Sequence, residues 1–270
     1  MEGKVVIKKV GGTQVKSIER KLGPLTLSFS EFGTFTVIGC DKDVTHVEVP
    51  SLVDDKYCVG IQDYAFENCT ALKSIELPQF DFNEWLKCAN RKFGILGNGA
   101  FKNCISLEEI TLPSGVQYLD PESFAGCISL KKILRGKGAF SLPLTIKKGA
   151  LDGCLYLEEL PEDIDYTDDS LRTCLSLKRR CTEEDSFYIF PEPITDTIPA
   201  DATEIASPGF YATHRVTEVI FEDTEGWYVK FNPELAPYDE FALDVSCPER
   251  NARVLRNAIF GRDFVKIYKK

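Results

Sequence analysis

The sequence predicts a β-rich solenoid: a curved parallel sheet of stacked copies of one unit, with a β-hairpin cap at its N-terminus and a mixed α/β cap at its C-terminus. Three observations predict it. The chain repeats itself, the last apolar residues of each copy alternate as a strand requires, and a proline then closes the copy. AFENCTALKSIELP runs from Ala65 to Pro78, AFKNCISLEEITLP from Ala100 to Pro113 and SFAGCISLKKIL from Ser123 to Leu134. ALDGCLYLEELP, Ala150 to Pro161, and SLRTCLSLKRRC, Ser170 to Cys181, are weaker copies. GFYATHRVTEVIF, Gly209 to Phe221, keeps the apolar pattern with Thr213 in the cysteine position, and VTHVEVP, Val44 to Pro50, is the second half of a preceding unit. Between copies, segments such as GVQYLDPES place an apolar pair before the turn that leads into the next phenylalanine.

The spacing fixes the unit. Cys69, Cys104, Cys127, Cys154 and Cys174 lie 35, 23, 27 and 20 residues apart, so the unit is about 23 residues with insertions. Within a copy, Leu107, Ile110 and Leu112, or Leu72, Ile75 and Leu77, form the edge that one unit cannot bury alone. Successive units must therefore stack, each strand parallel to its predecessor. Pro78 and Pro113 end their strands because proline cannot donate to a sheet ladder.

The two ends of such a stack expose sheet edges. Leu25, Leu27 and Phe29, then Phe35 and Val37, alternate about a Ser-Glu-Phe-Gly turn, which predicts a hairpin. At the other end Pro248 sits as a first-turn proline, Val254, Leu255, Ala258 and Ile259 share a helical face, Gly261 stops the helix, and Phe264 to Tyr268 forms a last strand. The expected organisation is 1–43 as N-terminal cap, 44–221 as solenoid and 222–270 as C-terminal cap.

With its motif AF-x-(N/G)-C-x-x-L-x-x-I-x-(L/I)-P, the chain resembles the BspA-like leucine-rich repeat proteins of bacteria. The resemblance covers about Val44 to Phe221, and TEVIFEDTEGWY, NARVLRNAIF and the terminal YKK are similar to a closing segment of such proteins. It departs at Arg180, which takes the buried isoleucine position of the fifth copy. The resemblance implies a non-enzymatic binding module, commonly a cell-surface or secreted protein that attaches to host proteins or other cells.

Composition excludes other classes. With 270 residues, 43% of them hydrophobic and 27% charged, the chain has material for a core. A net charge of −10 argues against a grip on nucleic acid. No apolar run approaches the roughly 20 residues of a membrane-spanning helix. MEGKVVIKKV lacks the apolar centre of a secretory signal. As the chain stands this points to the cytoplasm and to an intracellular protein-interaction scaffold as the alternative role; the resemblance points to the cell surface or secretion if a leader was removed.

Alternation also picks out the side chains facing outward from the predicted concave sheet: His46 and Glu48, Ser74 and Glu76, Glu109 and Thr111, Lys132 and Leu134, Glu159, Glu218 and Ile220. The row is mainly acidic. It either selects a protein or peptide with a basic patch or merely keeps an exposed sheet solvated. The insertion 79–99, with Phe80, Phe82, Trp85 and Phe93, and a second one carrying Phe187, Tyr188 and Phe190 either extend a binding surface or pack back onto the solenoid.

The cysteines are expected to be free thiols. Five occupy one repeat position, and stacking them about 5 Å apart with parallel side chains does not suit a disulfide. No C-x-x-C pair exists and there are only two histidines, so no metal or cofactor is expected. A remote alternative is a cysteine-dependent hydrolase using Cys247 with His214. The glycines of GILGNGAF and RGKGAF lack the order of a phosphate cradle, and Lys178, Arg179 and Arg180 read as a solvated patch.

Overall fold

The computed structural model describes residues 4–10, 13–79, 94–136, 143–166, 168–171, 173–177, 194–205, 216–230, 240–260 and 266–270. The chain divides into two compact units, 1–154 with 160–171, and 155–159 with 172–270, and each is described by itself.

In the first unit, β1 (Lys4–Val10), β2 (Thr13–Leu22), β3 (Leu25–Phe29) and β4 (Thr34–Cys40) form an antiparallel meander. The β3–β4 hairpin is the one expected, with Leu25, Leu27, Phe29, Phe35 and Val37 buried. The β1–β2 hairpin was not expected, because lysines interrupt its alternation. Its apolar residues stay open: Val5 is 53% and Ile7 61% exposed. The repeats begin with β5 (His46–Glu48), β6 (Leu52–Val53) and β7 (Lys56–Ile61). Asp54 and Asp55, at φ 48° and 59°, make the two-residue turn between β6 and β7. Next come β8 (Ser74–Glu76), β9 (Ile95–Leu96), β10 (Glu109–Leu112), β11 (Tyr118–Leu119), β12 (Lys132–Arg135), β13 (Leu144–Ile146) and β14 (Ile164–Tyr166).

These strands make a β-solenoid with two faces. On one, β5, β8, β10 and β12 pair in parallel in that order, in the register His46 to Ser74, Ser74 to Glu109 and Glu109 to Lys132. On the other, the apolar pairs between the copies are themselves short parallel strands: β4 to β7 to β9, and β11 to β13 to β14. From β5 to β13 each unit thus contributes two strands, one to each face, joined by turns, and the core lies between them.

The turns explain the motif. Asn68, Asn103, Gly126 and Gly153 stand immediately before a repeat cysteine, and all four have positive φ, 59°, 60°, 76° and 77°. Glycine adopts this conformation readily, and asparagine or aspartate does so at modest cost. The reversal turns the following cysteine inward, and Cys69, Cys104, Cys127, Cys154 and Cys174 are fully buried free thiols. Around it, backbone N–H groups reach to the next unit. Phe66 donates to Ala100 and Asn68 to Lys102, both at 2.8 Å, Phe101 to Ser123 at 2.7 Å, and Phe124 to Ala150 at 2.9 Å. Inside this ladder Phe66, Phe101 and Phe124 stack with centroids 5.1 and 5.2 Å apart. The thiols form a ladder in the opposite sense: Cys104 donates to the Phe66 carbonyl at 3.2 Å, Cys127 to Phe101 at 3.0 Å and Cys154 to Phe124 at 3.2 Å.

The second unit contains β15 (Ile194–Ile198), β16 (Glu204–Ile205), β17 (Val216–Phe221), β18 (Trp227–Lys230), β19 (Glu240–Ala242), the helix α1 (Pro248–Phe260) and β20 (Lys266–Lys269). β15 and β17 pair in parallel, while β16, β20, β18 and β19 form an antiparallel sheet in that order. Phe221, Trp227, Val229, Val254, Leu255 and Ile267 are among its core residues. Buried Asn251 ties α1 in by donating to the carbonyls of Val219 at 2.9 Å and Val245 at 2.8 Å. Pro248 opens the helix as expected; Gly261 and the side chains of Ala258 and Ile259 lie outside the described residues. Among the described residues no helix is long and apolar enough to cross a membrane.

Two substitutions test the ladder. Phe101 sits between two stacked rings, so Phe101→Ala is expected to cost about 3–5 kcal/mol in urea unfolding; a loss below about 1 kcal/mol would show the stack to be dispensable. Asn103 combines positive φ with a side-chain bond to Asn68 at 2.8 Å. Asn103→Ala is expected to cost about 1–2 kcal/mol and Asn103→Gly less than half of that, since glycine restores the conformation.

Candidate functional site

The candidate site is the outward face of β5, β8, β10 and β12. Strand alternation sends Val47, Ile75, Ile110 and Ile133 into the core, and their neighbours therefore face solvent. His46, Glu48, Ser74, Glu76 and Glu109 are exposed, as is Leu134, while Thr111 and Lys132 are half-buried. Parallel pairing sets these side chains in two rows. His46, Ser74, Glu109 and Lys132 are successive partners in one; Glu48 is the partner of Glu76, and Thr111 of Leu134, in the other.

Electrostatics give the face its character. Glu48 lies directly beside Glu76, and neighbouring strands are only about 4.8 Å apart, so two like charges are held side by side on rigid backbone. Such pairs are unfavourable. The imidazole of His46 is at 2.8 Å from Ser74 Oγ through Nδ1, and its Nε2 is 4.0 Å from Glu76. The order serine, histidine, glutamate is that of a hydrolase, but Glu76 is beyond hydrogen-bond reach of the ring and 70% exposed at its side chain, so it does not orient the imidazole as a triad carboxylate does.

Not every expected residue joins this face. Glu218 is on β17, which pairs with β15, and accepts a hydrogen bond from Thr195 Oγ1 at 3.0 Å. Glu159 is an isolated bridge residue, and both glutamates belong to the second unit. The expectation of one unbroken row is thus corrected: the fourth copy forms no strand beside β12. Phe80, Phe82, Trp85 and Phe93 of the insertion, Phe187, Tyr188 and Phe190, the cluster Lys178 to Arg180, and His214 lie outside the described residues. Cys247 contacts Glu249 at 3.3 Å. Among the described residues no group of three or more His, Cys, Asp or Glu is arranged to hold a metal ion.

Sequence reasoning missed Arg135. It follows the outward Leu134 at the end of β12, yet its side chain is only 6% exposed. It pairs with Asp163 and donates to the carbonyls of Ser114 at 3.2 Å and Val116 at 2.9 Å. A lone arginine after a strand carries no sequence signal for this.

Comparison with known proteins bears on the repeat. The family model of the BspA type leucine rich repeat region matches residues 40–160 and 94–184, with six copies. The chain belongs to this family. The BspA-type repeat fold is that of a protein-interaction module. Among solved structures, a leucine-rich repeat protein from Bacteroides ovatus is 24% identical over 56% of this chain, with a TM-score of 0.40. The likeness spans 42% of that protein's length. The T. pallidum leucine rich repeat protein is 20% identical, covering 60% of this chain and 91% of its own, with a TM-score of 0.35. A leucine-rich repeat protein from Bacteroides capillosus is 18% identical, covering 44% of this chain and 99% of its own, with a TM-score of 0.27. No curated protein matches.

The like-charge pair on this BspA-type sheet can be tested by removing one charge. Glu76→Gln is expected to leave stability unchanged or raise it by up to about 0.5 kcal/mol in urea unfolding. A loss of more than about 1 kcal/mol would assign Glu76 a structural bond instead.

Proposed function

We propose that this chain is a non-enzymatic recognition module, of the kind adhesion to a host or partner protein requires. Its docking surface is the face of β5, β8, β10 and β12, and its partner is a protein or peptide with a basic patch. The observation that carries the reading is the placement of Glu48 against Glu76, with Glu109 one strand away, on backbone fixed by parallel pairing. Cationic side chains from a partner relieve that repulsion, and the charge steers the encounter and rejects acidic partners. Leu134, exposed at the end of the same face, adds apolar contact. The aromatic residues of the insertion 79–99 take part in binding in this reading.

A lysine-rich peptide titrated into the full chain tests it. Binding is expected to weaken by about ten-fold in the triple variant Glu48→Gln, Glu76→Gln, Glu109→Gln and to fall steeply with added salt, with thermal unfolding of the variant nearly unchanged. Phe82→Ala with Trp85→Ala is expected to weaken binding further without loss of stability. Equal binding by wild type and triple variant would overturn the role of the face.

A further inference from the structure

The first hairpin runs against the charge of the rest of the chain. Residues 4–22 hold Lys4, Lys8, Lys9, Lys16, Arg20 and Lys21 against Glu19 alone, in a chain of net charge −10. Arg20 and Lys21 are engaged within the fold, by Asp54 at 2.7 Å and Asp41 at 2.6 Å. Lys4 and Lys16 are exposed and join no ion pair among the described residues. Register sets Val5 opposite Ile18 and Ile7 opposite Lys16, and residues directly opposite share a side of the sheet. Ile18 is in turn opposite the buried Phe29. This side of the hairpin therefore continues the core side of β3, yet Val5, Ile7 and Ile18 are 53%, 61% and 44% exposed. β1 is also the end strand of its sheet, and lysines along an edge strand disfavour pairing with a further strand, so what meets the hairpin meets its side chains.

We propose that the β1–β2 hairpin docks on the β5, β8, β10 and β12 face of a second copy of the chain, so that the basic partner of that face is the chain itself; this rests on the reading of that face as the docking surface. Charge complementarity selects the occupant. The face carries Glu48 beside Glu76, with Glu109 one strand away, and ends in the exposed Leu134; the hairpin carries Lys16 beside Ile7, with Val5 and Ile18 next along the same side. Each surface thus sets charge next to an apolar patch, with opposite sign. A lysine brought to Glu48 and Glu76 relieves their repulsion, and Val5, Ile7 and Ile18 lose water against Leu134. Size agrees as well: β1, seven residues long, spans about 24 Å, enough to cross four strands about 4.8 Å apart. The hairpin is held in its own sheet by the pairing of β2 with β3 from Ile18 to Leu22, with its apolar residues open, so an acidic face must come from another copy. Hairpin and face are different surfaces, which makes the contact head-to-tail: a bound pair still offers one hairpin and one face, and further copies can add.

Sedimentation velocity on the full chain over a concentration series tests it. The average mass is expected to rise with concentration at low salt, and the association to weaken by about ten-fold at about 0.5 M salt. Two variants are each expected to stay monomeric with thermal unfolding nearly unchanged, since the altered side chains are exposed: a hairpin variant, Val5→Thr with Ile7→Thr and Lys16→Glu, and a face variant, Glu48→Gln with Glu76→Gln and Glu109→Gln. Mixed together they are expected to form a 1:1 heterodimer and nothing larger, because one supplies an intact face and the other an intact hairpin. Two monomeric variants that do not complement, or self-association that survives in either variant, would overturn the proposal. So would a wild-type chain that stays monomeric at every concentration, including one that binds vesicles of phosphatidylserine and phosphatidylcholine through the hairpin instead. Titration of the hairpin variant with the lysine-rich peptide separates this from the reading beneath it: peptide binding by a chain that does not self-associate sinks the self-docking and leaves the acidic face standing, whereas loss of both sinks both.

Discussion

The structure depends on one constraint: the turn before each repeat cysteine must offer its backbone to the unit that follows. Asn68, Asn103 and Gly126 bend through left-handed conformations, and their N–H groups bond to Lys102, Ala125 and Asp152. These backbone bonds fix register, and the Asn103–Asn68 side-chain bond and the cysteine thiols tie the same turns together. Once register is fixed, Phe66, Phe101 and Phe124 fall into line and the strands on both faces meet their partners. Apolar burial provides the driving force, but the turn decides where it is delivered. Helical solenoids solve the same stacking problem through helix packing; here hydrogen bonds between turns take that role.

Much of this was legible in the sequence, and the limits have physical reasons. Period, core positions and the β3–β4 hairpin follow from spacing and alternation, because stacking imposes those regularities on residue type. The shared repeat position of the five cysteines accounts for their burial but not for thiols that donate to carbonyls; a weak donor leaves no spacing pattern of its own. The second sheet face was present only as apolar pairs such as Tyr118–Leu119, too short to announce strands. β1 and β2 escaped because they bury little and lysines break their alternation.

The candidate face shows the same division. Its eight positions on β5, β8, β10 and β12 could be assigned by parity alone, since a strand with one face in the core has no choice about the other. Parity failed at Glu159 and Glu218, where it presumes that the sheet continues. Glu159 sits in a copy without a strand, and Glu218 pairs with Thr195 on a different sheet. Arg135 failed for the opposite reason: it continues a strand but turns inward to find Asp163.

Because rungs are made at the turns, the chain between them is free to vary in length. Strand partners on the candidate face are 28, 35 and 23 residues apart, yet the pairing is the same. Sequence can therefore be added or deleted between rungs without disturbing the neighbours, so gene duplication or internal deletion of whole units yields longer or shorter versions of one scaffold. Each added copy would widen the presented face by one strand, about 4.8 Å, which makes reach a matter of copy number rather than of new design.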